Sequence, residues 1–174
     1  MSGSKRTCYW DTCIFLAWIK NEQRAPDEVA GIQDLVSKLD TGEIKVITSV
    51  ATLMEITRAK VDEPQEQVFL KAMKNQNIRI HPIDKKVAEK SRELRNFYIL
   101  SDPPVGKLSI ADSIHLATAI IYDVDLMYTF DGTNPINNNG TLKLIPLNKN
   151  VAGFPLKIEA PRITGIPFRS SIAP

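Results

Sequence analysis

The chain has 174 residues, of which 43% are hydrophobic and 24% are charged, and its formal net charge is +2. A chain of this length and composition can bury a substantial core in one domain, which excludes an intrinsically disordered or low-complexity protein. The small net charge neither favours nor excludes a nucleic-acid partner.

The cysteine content and the hydropathy indicate the compartment. Cys8 and Cys13 provide neither a disulfide framework nor the spacing of a zinc site. No apolar run reaches the length of a membrane-spanning helix, about 18 residues, and the first residues do not have the pattern of a secretion signal. We therefore expect a reducing, cytoplasmic location and no membrane association.

Hydrophobic periodicity predicts strands that alternate with helices along the whole chain. The predicted strands are residues 7–10, 43–47, 78–83, 126–130 and 142–147, and the predicted helices are 12–20, 26–39, 50–61, 65–74, 85–100 and 109–121. This alternation is typical of an α/β fold, a three-layer sandwich in which a central, mostly parallel sheet has helices on both faces.

The domain organisation is predicted from composition. Residues 1–150 form one domain, and residues 151–174 form an extended, proline-rich C-terminal arm, because four prolines after position 150 exclude a helix there. Within the arm, residues 156–159 can form an extended edge segment, and the arm either wraps the domain or contacts a partner.

Carboxylates occur at the junctions between strands and helices. Asp112 lies in the first turn of a helix that is apolar nearly all round, and a lone buried carboxylate is unfavourable unless something pairs with it. Asp131 ends a strand. Asp11 stands between a strand and a helix, where an N-cap is the common role, although a cap can also be a ligand. Glu55 lies near a helix start, where an ion pair with Arg58 is the alternative.

These acids are expected to converge, because in parallel sheets the strand ends and the following helix starts meet at one edge, where ligands bind. Several carboxylates at one place cannot all remain ionised without a cation. All-oxygen sites prefer Mg²⁺ or Mn²⁺, and such an ion with open positions for water is used to attack phosphate esters.

Four segments in this order and at this spacing resemble a PIN domain, and among PIN domains the VapC-like toxin ribonucleases. The segments are YWDT (9–12), TSVATLMEI (48–56), ADSIHLATA (111–119) and YTFD (128–131). The likeness covers residues 7–147. It does not extend to the tail from about residue 150, so it implies nothing about that segment.

The resemblance implies a metal-dependent endoribonuclease that uses Mg²⁺ or Mn²⁺ and acts on RNA. It places Asp11, Glu55, Asp112 and Asp131 at the catalytic and metal-binding acidic positions, with Asp11 and Asp112 holding the ion most directly. Thr12 and Thr129 take the neighbouring hydroxyl positions. The resemblance also implies a homodimer and an antitoxin partner.

Several questions stay open from the sequence. The chain could be a PIN-like RNA-binding or scaffold module with little or no cleavage, or a phosphatase or nuclease that acts on DNA. No further acid follows Asp131 before Glu159, and Asn134 stands where the resemblance would place an additional carboxylate. The sequence therefore does not decide between one metal ion and two. We expect packing or hydrogen bonding, not base catalysis, from His115.

The basic residues have two interpretations. The helix over 85–100 is the most basic in the chain, and its basic face is either solvated or a contact for the phosphate backbone. The candidates for RNA contact are Arg58, Lys60, Lys85, Lys86, Lys90, Arg92 and Arg95.

Overall fold

A computed structural model describes residues 5–102, 106–132 and 140–163, and within these residues five strands form one parallel sheet in the order β3-β2-β1-β4-β5. The strands are β1 (Arg6–Trp10), β2 (Ile44–Ser49), β3 (Ile78–His81), β4 (Leu126–Tyr128) and β5 (Ile158–Glu159). The central position of β1 explains its burial, because neighbours on both sides and helices above and below cover it.

Helices cover both faces of the sheet, which confirms the predicted three-layer α/β sandwich. They are α1 (Thr12–Ile19), α2 (Pro26–Asp40), α3 (Val50–Glu55), α4 (Glu63–Ala72), α5 (Lys85–Leu100) and α6 (Ile110–Ile121). Side chains that alternate along β1 enter different cores: Cys8 and Trp10 pack with α1, α2 and α4, whereas Tyr9 packs with α5 and α6.

The topology brings three helix termini to one edge of the sheet. Helices α1 and α3 begin directly after β1 and β2, at the carboxyl ends of these parallel strands. Helix α6 precedes β4, so its first residue lies at the same edge. This edge therefore receives Asp11 before α1, Glu55 at the end of the short α3 and Asp112 in the first turn of α6.

Two predicted elements are corrected. Residues 142–147 are not a strand, because Pro146 cannot donate to a ladder and the Asp131 carboxylate accepts from the Leu144 N–H. Ile145–Leu147 instead forms a 3-10 helix, and the apolar pattern there reflects the burial of Leu144 and Leu147. The helix predicted over 50–61 ends at Glu55, after which Ile56 takes an extended conformation.

The fifth strand comes from the C-terminal segment, as the expected extended edge suggested. Met127 and Tyr128 pair with Ile158 and Glu159. Beyond β5 the chain crosses α2 so closely that a Cβ atom on Gly31 would lie 2.4 Å from the Pro161 carbonyl carbon. The division of the chain at residue 150 stays a prediction, and Asn134 and residues 164–174 lie outside the described residues.

Candidate metal centre

Asp11 is the most buried of the four predicted acids and has a fixed orientation. Its side chain is the N-cap of α1, where Oδ1 accepts from the Thr12 backbone N–H at 2.5 Å. Oδ2 accepts from the Thr129 hydroxyl at 2.7 Å and from the Cys13 thiol at 3.2 Å. The capping role is therefore confirmed, and it fixes the carboxylate at the sheet edge.

Glu55 approaches Asp11 from the neighbouring strand-to-helix connection. Its Oε2 accepts from the Thr12 hydroxyl and lies 2.9 Å from His115 Nε2. Burial raises the pKa of Glu55, but the hydrogen bonds from His115 and Thr12 outweigh burial and lower it. The alternative pair with Arg58 is not observed, since Arg58 bonds Glu66 at 2.7 Å.

His115 completes a group with these two acids. The possible ligand atoms of Asp11, Glu55 and His115 lie within 4.8 Å of one another. Burial acts to lower the pKa of His115, but the hydrogen bond to Glu55 and the charges of Asp11, Glu55 and Asp112 outweigh burial and raise it. The expectation of a hydrogen-bonding histidine is confirmed, and its position between the acids is new.

Asp112 belongs to the same electrostatic environment. Ser109, the N-cap of α6, donates its hydroxyl to Asp112 Oδ2 at 2.5 Å. Burial raises the pKa of Asp112 and outweighs the Ser109 hydrogen bond, with further contributions from the charges of Asp11 and Asp131. The structure thus places Asp112 beside the acid group, although outside the set that could hold one ion in this arrangement.

Asp131 already has a cationic partner. Lys143 Nζ lies 2.7 Å from Oδ1, and the Leu144 N–H donates to Oδ2 at 2.9 Å. The Thr129 hydroxyl accepts from the Asp131 N–H at 3.0 Å and so connects Asp131 to Asp11. Of the four acids, Asp131 is therefore the one whose charge is balanced by an ammonium group.

The residues of this edge fit a small divalent cation. Mg²⁺ lies about 2.0–2.1 Å from its oxygen ligands, so two ligands of one ion are at most ~4.2 Å apart, slightly less than the 4.8 Å within which the ligand atoms of this group lie. Carboxylate oxygens are the ligands that Mg²⁺ and Mn²⁺ prefer. The two carboxylates of the group thus supply the chemistry that such an ion requires, at separations close to those that it spans.

The predicted basic residues do not form one cluster on the described surface. Lys85 and Lys86 begin α5 at the same sheet edge as the acids, whereas Lys90 and Arg92 lie about 8–11 Å further along that helix. Arg58 pairs with Glu66, Lys85 with Glu89 and Lys90 with Glu93. Their role in RNA binding stays a prediction.

Sequence comparison identifies the family. The profile described as PIN domain matches residues 8–133, which is most of the chain. The protein belongs to the PIN domain family. Among functionally curated proteins, none matches the sequence significantly.

Solved structures share the fold of this PIN domain. A VapBC2 structure from Rickettsia felis bound to a promoter DNA fragment aligns with a TM-score of 0.57 at 15% identity, covering 87% of this chain and 98% of that chain. DNA-bound VapBC from Salmonella typhimurium aligns with a TM-score of 0.52 at 16% identity, covering 88% and 97%. A toxin–antitoxin complex from Klebsiella pneumoniae gives 0.50 at 22% identity, covering 78% and 95%.

Several residues of the site are not among those predicted from the sequence. Tyr9 could have been found, because it shares a strand face with Asp11 at a spacing of two residues. Ser109 stands three residues before Asp112, which is the spacing of an N-cap that bonds the first turn. No sequence signal identifies Lys143, because its pairing with Asp131 is a tertiary contact that no local pattern encodes.

A cavity of about 410 Å³ lies between α1 and α2, away from the acids. Residues such as Trp18, Ile32 and Val36 line it, and none of the proposed site residues does. None of the helices in the described part of the chain is long and apolar enough to cross a membrane.

Proposed function

We propose that this PIN domain protein is a metal-dependent endoribonuclease that uses Mg²⁺ or Mn²⁺ and is the toxin of a toxin–antitoxin pair. The observation that carries the proposal is the group formed by Asp11, Glu55 and His115, whose possible ligand atoms lie within 4.8 Å of one another beside Asp112. Family membership supports nuclease chemistry over a purely structural role.

In this proposal, the four acids and two hydroxyls have distinct roles. Asp11 would hold the ion directly, and Asp112, which lies beside the group but outside its 4.8 Å set in this arrangement, would join it there. Glu55 and Asp131 would bind the ion through water or bind a second ion. An ion held there would lower the pKa of a bound water molecule and offset negative charge on the attacked phosphate. Thr129 fixes one oxygen of Asp11, and Thr12 fixes Glu55.

The RNA substrate would approach the carboxyl edge of the sheet. Lys85 and Lys86 at the start of α5 and Arg58 after α3 are nearest to this edge in the topology. Lys90 and Arg92 would contact only a longer RNA that follows α5. Cations that contact phosphates increase affinity without specifying sequence, so these residues imply a salt-dependent interaction.

An antitoxin protein and a second copy of this chain are the proposed partners. The antitoxin is supported by the similarity to solved VapBC complexes. The free thiols of Cys8 and Cys13 support a reducing, cytoplasmic location.

Cleavage of single-stranded RNA by the purified protein tests the activity. We expect cleavage with Mn²⁺, none with EDTA, and a loss of at least about 100-fold in Asp11→Asn and Asp112→Asn. Glu43→Gln is the matched control, because Glu43 is exposed at the opposite end of β2. Cleavage that survives both aspartate substitutions would contradict the proposed site.

A second candidate function is a PIN-like RNA-binding or scaffold module without cleavage. The ion pair between Lys143 and Asp131 favours it, because a resident ammonium group already balances one of the four acids. RNA binding without cleavage in Mg²⁺, Mn²⁺ or other divalent ions would support this candidate. Growth arrest on expression, relieved by a co-expressed antitoxin, would support the toxin.

A further inference from the structure

His115 is buried at the interface between α6 and the sheet, with 1% of its surface exposed. It follows Asp112 by three residues on α6, so both side chains lie on neighbouring parts of one helix face. Both ring nitrogens have partners: Nδ1 lies 2.6 Å from the Tyr9 hydroxyl, and Nε2 lies 2.9 Å from Glu55 Oε2. The ring is therefore held at two points.

The partner of Nε2 determines where the ring carries its proton. An ionised carboxylate only accepts hydrogen bonds, so Nε2 must carry the hydrogen that it directs to Glu55. The proton-bearing nitrogen has no free lone pair for a cation. The arrangement thus makes His115 a donor to an acid of the site.

Tyr9 fixes the ring from the other side. Its hydroxyl reaches Nδ1, and its ring meets that of His115 edge-on at a centroid distance of 5.8 Å. When the ring is neutral and carries its hydrogen on Nε2, Nδ1 is an acceptor and the Tyr9 hydroxyl donates to it.

The Glu55 side chain needs the hydrogen bond from His115, because its place at the end of a short helix does little to fix its orientation. It is the last residue of the short α3, and its side chain is 28% exposed. Thr12 and His115 both bond Oε2, which leaves Oε1 outside these two contacts. Without His115, the Thr12 hydroxyl alone would hold the carboxylate against Asp11.

We propose that His115 is a positioning residue: it donates from Nε2 to Glu55 and holds this carboxylate toward the cation, while Tyr9 orients the ring, and His115 is not itself a ligand. The inference rests on the proposed metal-dependent function. It assigns a role to His115 Nε2, the one atom of the group that is not a carboxylate oxygen.

Mn²⁺ binding by the intact protein, measured by calorimetry without RNA, tests the role. The amide nitrogen of glutamine reaches the position of Nε2, whereas that of asparagine ends near Nδ1. We expect His115→Gln to bind Mn²⁺ within about threefold of the wild type and His115→Asn to bind about 10–100-fold more weakly, as is typical for the loss of an outer-shell partner. Tyr9→Phe should weaken binding less than His115→Asn.

Two spectroscopic measurements on the wild type avoid the question of whether a variant folds. Nitrogen NMR of the imidazole groups should show a protonated His115 Nε2 with and without saturating Mg²⁺. Electron spin echo measurements of the Mn²⁺ complex should show no directly coordinated nitrogen. The spectrum of His81→Phe, which removes the other histidine, assigns the signals.

Three results would overturn the inference while leaving the proposed function intact. They are a coordinated nitrogen that disappears in His115→Gln, an unprotonated Nε2 in the Mg²⁺ complex, and equal Mn²⁺ affinities of His115→Asn and the wild type. A wild-type protein that binds no divalent ion would overturn the proposed function together with this inference.

Discussion

The Thr129 hydroxyl connects two acids that lie 120 residues apart in the sequence. It donates to Asp11 Oδ2 at 2.7 Å and accepts from the Asp131 N–H at 3.0 Å, and the residue is completely buried. A buried hydroxyl that uses both its donor and an acceptor site fixes the relative positions of its partners. Thr129 therefore determines where the end of β4 lies relative to Asp11.

Removal of this hydroxyl should weaken cation binding. We expect Thr129→Val, which keeps the shape, to lower the affinity for Mn²⁺ by about 10-fold or more, because Asp11 loses a donor and the Asp131 N–H loses its acceptor. Thr129→Ser keeps the hydroxyl and should remain within about threefold of the wild type. Calorimetry checks both values, and equal affinities of the valine and serine variants would show that the hydroxyl does not position the acids.

His81 is a second residue with a measurable effect, at the end of β3. Burial and the Arg79 charge lower its pKa below the ordinary value and outweigh the opposite influence of Asp84. The folded state thus disfavours the protonated form of His81. The stability that His81 contributes is therefore present above pH 6.5 and is lost as the pH falls below that value.

His81→Phe should flatten this part of the pH profile while keeping a ring against Tyr122, whose centroid lies 3.6 Å from that of His81. We expect the free energy of unfolding of the wild type to fall more than that of the variant between pH 7.5 and pH 5. Urea unfolding at both pH values measures the difference. Parallel changes in the two proteins would mean that the pKa of His81 is not lowered by folding.

At the scale of elements, the segment after β5 joins the sheet to α2. The Glu159 carbonyl accepts from the Thr129 N–H at 3.1 Å, and Arg162 bonds the buried Glu28 of α2 at 2.7 Å. Between these contacts, Pro161 lies directly over Gly31, where only a residue without a Cβ fits. The segment therefore contacts both the residue that follows β4, Thr129, and helix α2.

Gly31→Ala tests this contact. The new Cβ would lie 2.4 Å from the Pro161 carbonyl carbon and 2.6 Å from the Arg162 nitrogen, both backbone atoms, so the segment must move. We expect a loss of about 1–3 kcal/mol in the free energy of unfolding, the usual effect of overpacking. Urea denaturation measures it.

The control is the same substitution in a chain that ends at Ala160. Without Pro161 and Arg162, alanine should stabilise α2 by up to about 1 kcal/mol, because it has the higher helix propensity. If Gly31→Ala has the same effect in both chains, the close approach of this segment does not limit the residue at position 31.

At the scale of the whole molecule, the parallel sheet concentrates negative charge at one edge. Asp11, Glu55 and Asp112 lie there, and burial together with the neighbouring acids raises the pKa of Asp112. Binding sites assembled in this way often reduce stability in favour of function. The protein should therefore be stabilised by either a bound cation or the loss of one acid.

Asp112→Asn should reverse its stability order relative to the wild type when Mn²⁺ is added. Without divalent ions, we expect the variant to melt about 2–4 °C higher, the shift that ~1 kcal/mol produces in a chain of this size. With Mn²⁺ at about 100 times the wild-type dissociation constant, the wild type gains ~2.7 kcal/mol and should melt higher than the variant. Thermal unfolding followed by circular dichroism measures both orders.

Glu43→Gln provides the control, because its carboxylate lies at the opposite end of β2 and should leave both melting temperatures within about 1 °C of the wild type. If Mn²⁺ raises the melting temperature of Asp112→Asn as much as that of the wild type, Asp112 does not contribute to cation binding.

The sequence alone determined the layer architecture and the edge at which the acids meet. Strand and helix periods alternate, and Asp11, Glu55 and Asp112 stand at junctions that a parallel sheet must bring to one side. These features depend on local patterns and on the short-range connection of each strand to the next helix, so they can be derived without knowing the contacts between distant segments.

Only the tertiary structure decided which distant groups pair. An apolar pattern reports burial and not hydrogen-bond partners, so residues 142–147 resembled a strand, although Ile158–Glu159 forms the edge strand and Leu144 bonds Asp131. The same limit applies to the contacts of His115 with Tyr9 and Glu55 and to that of Lys143 with Asp131. Each joins side chains whose separation depends on the packing of whole helices and loops, and no local period of the sequence encodes it.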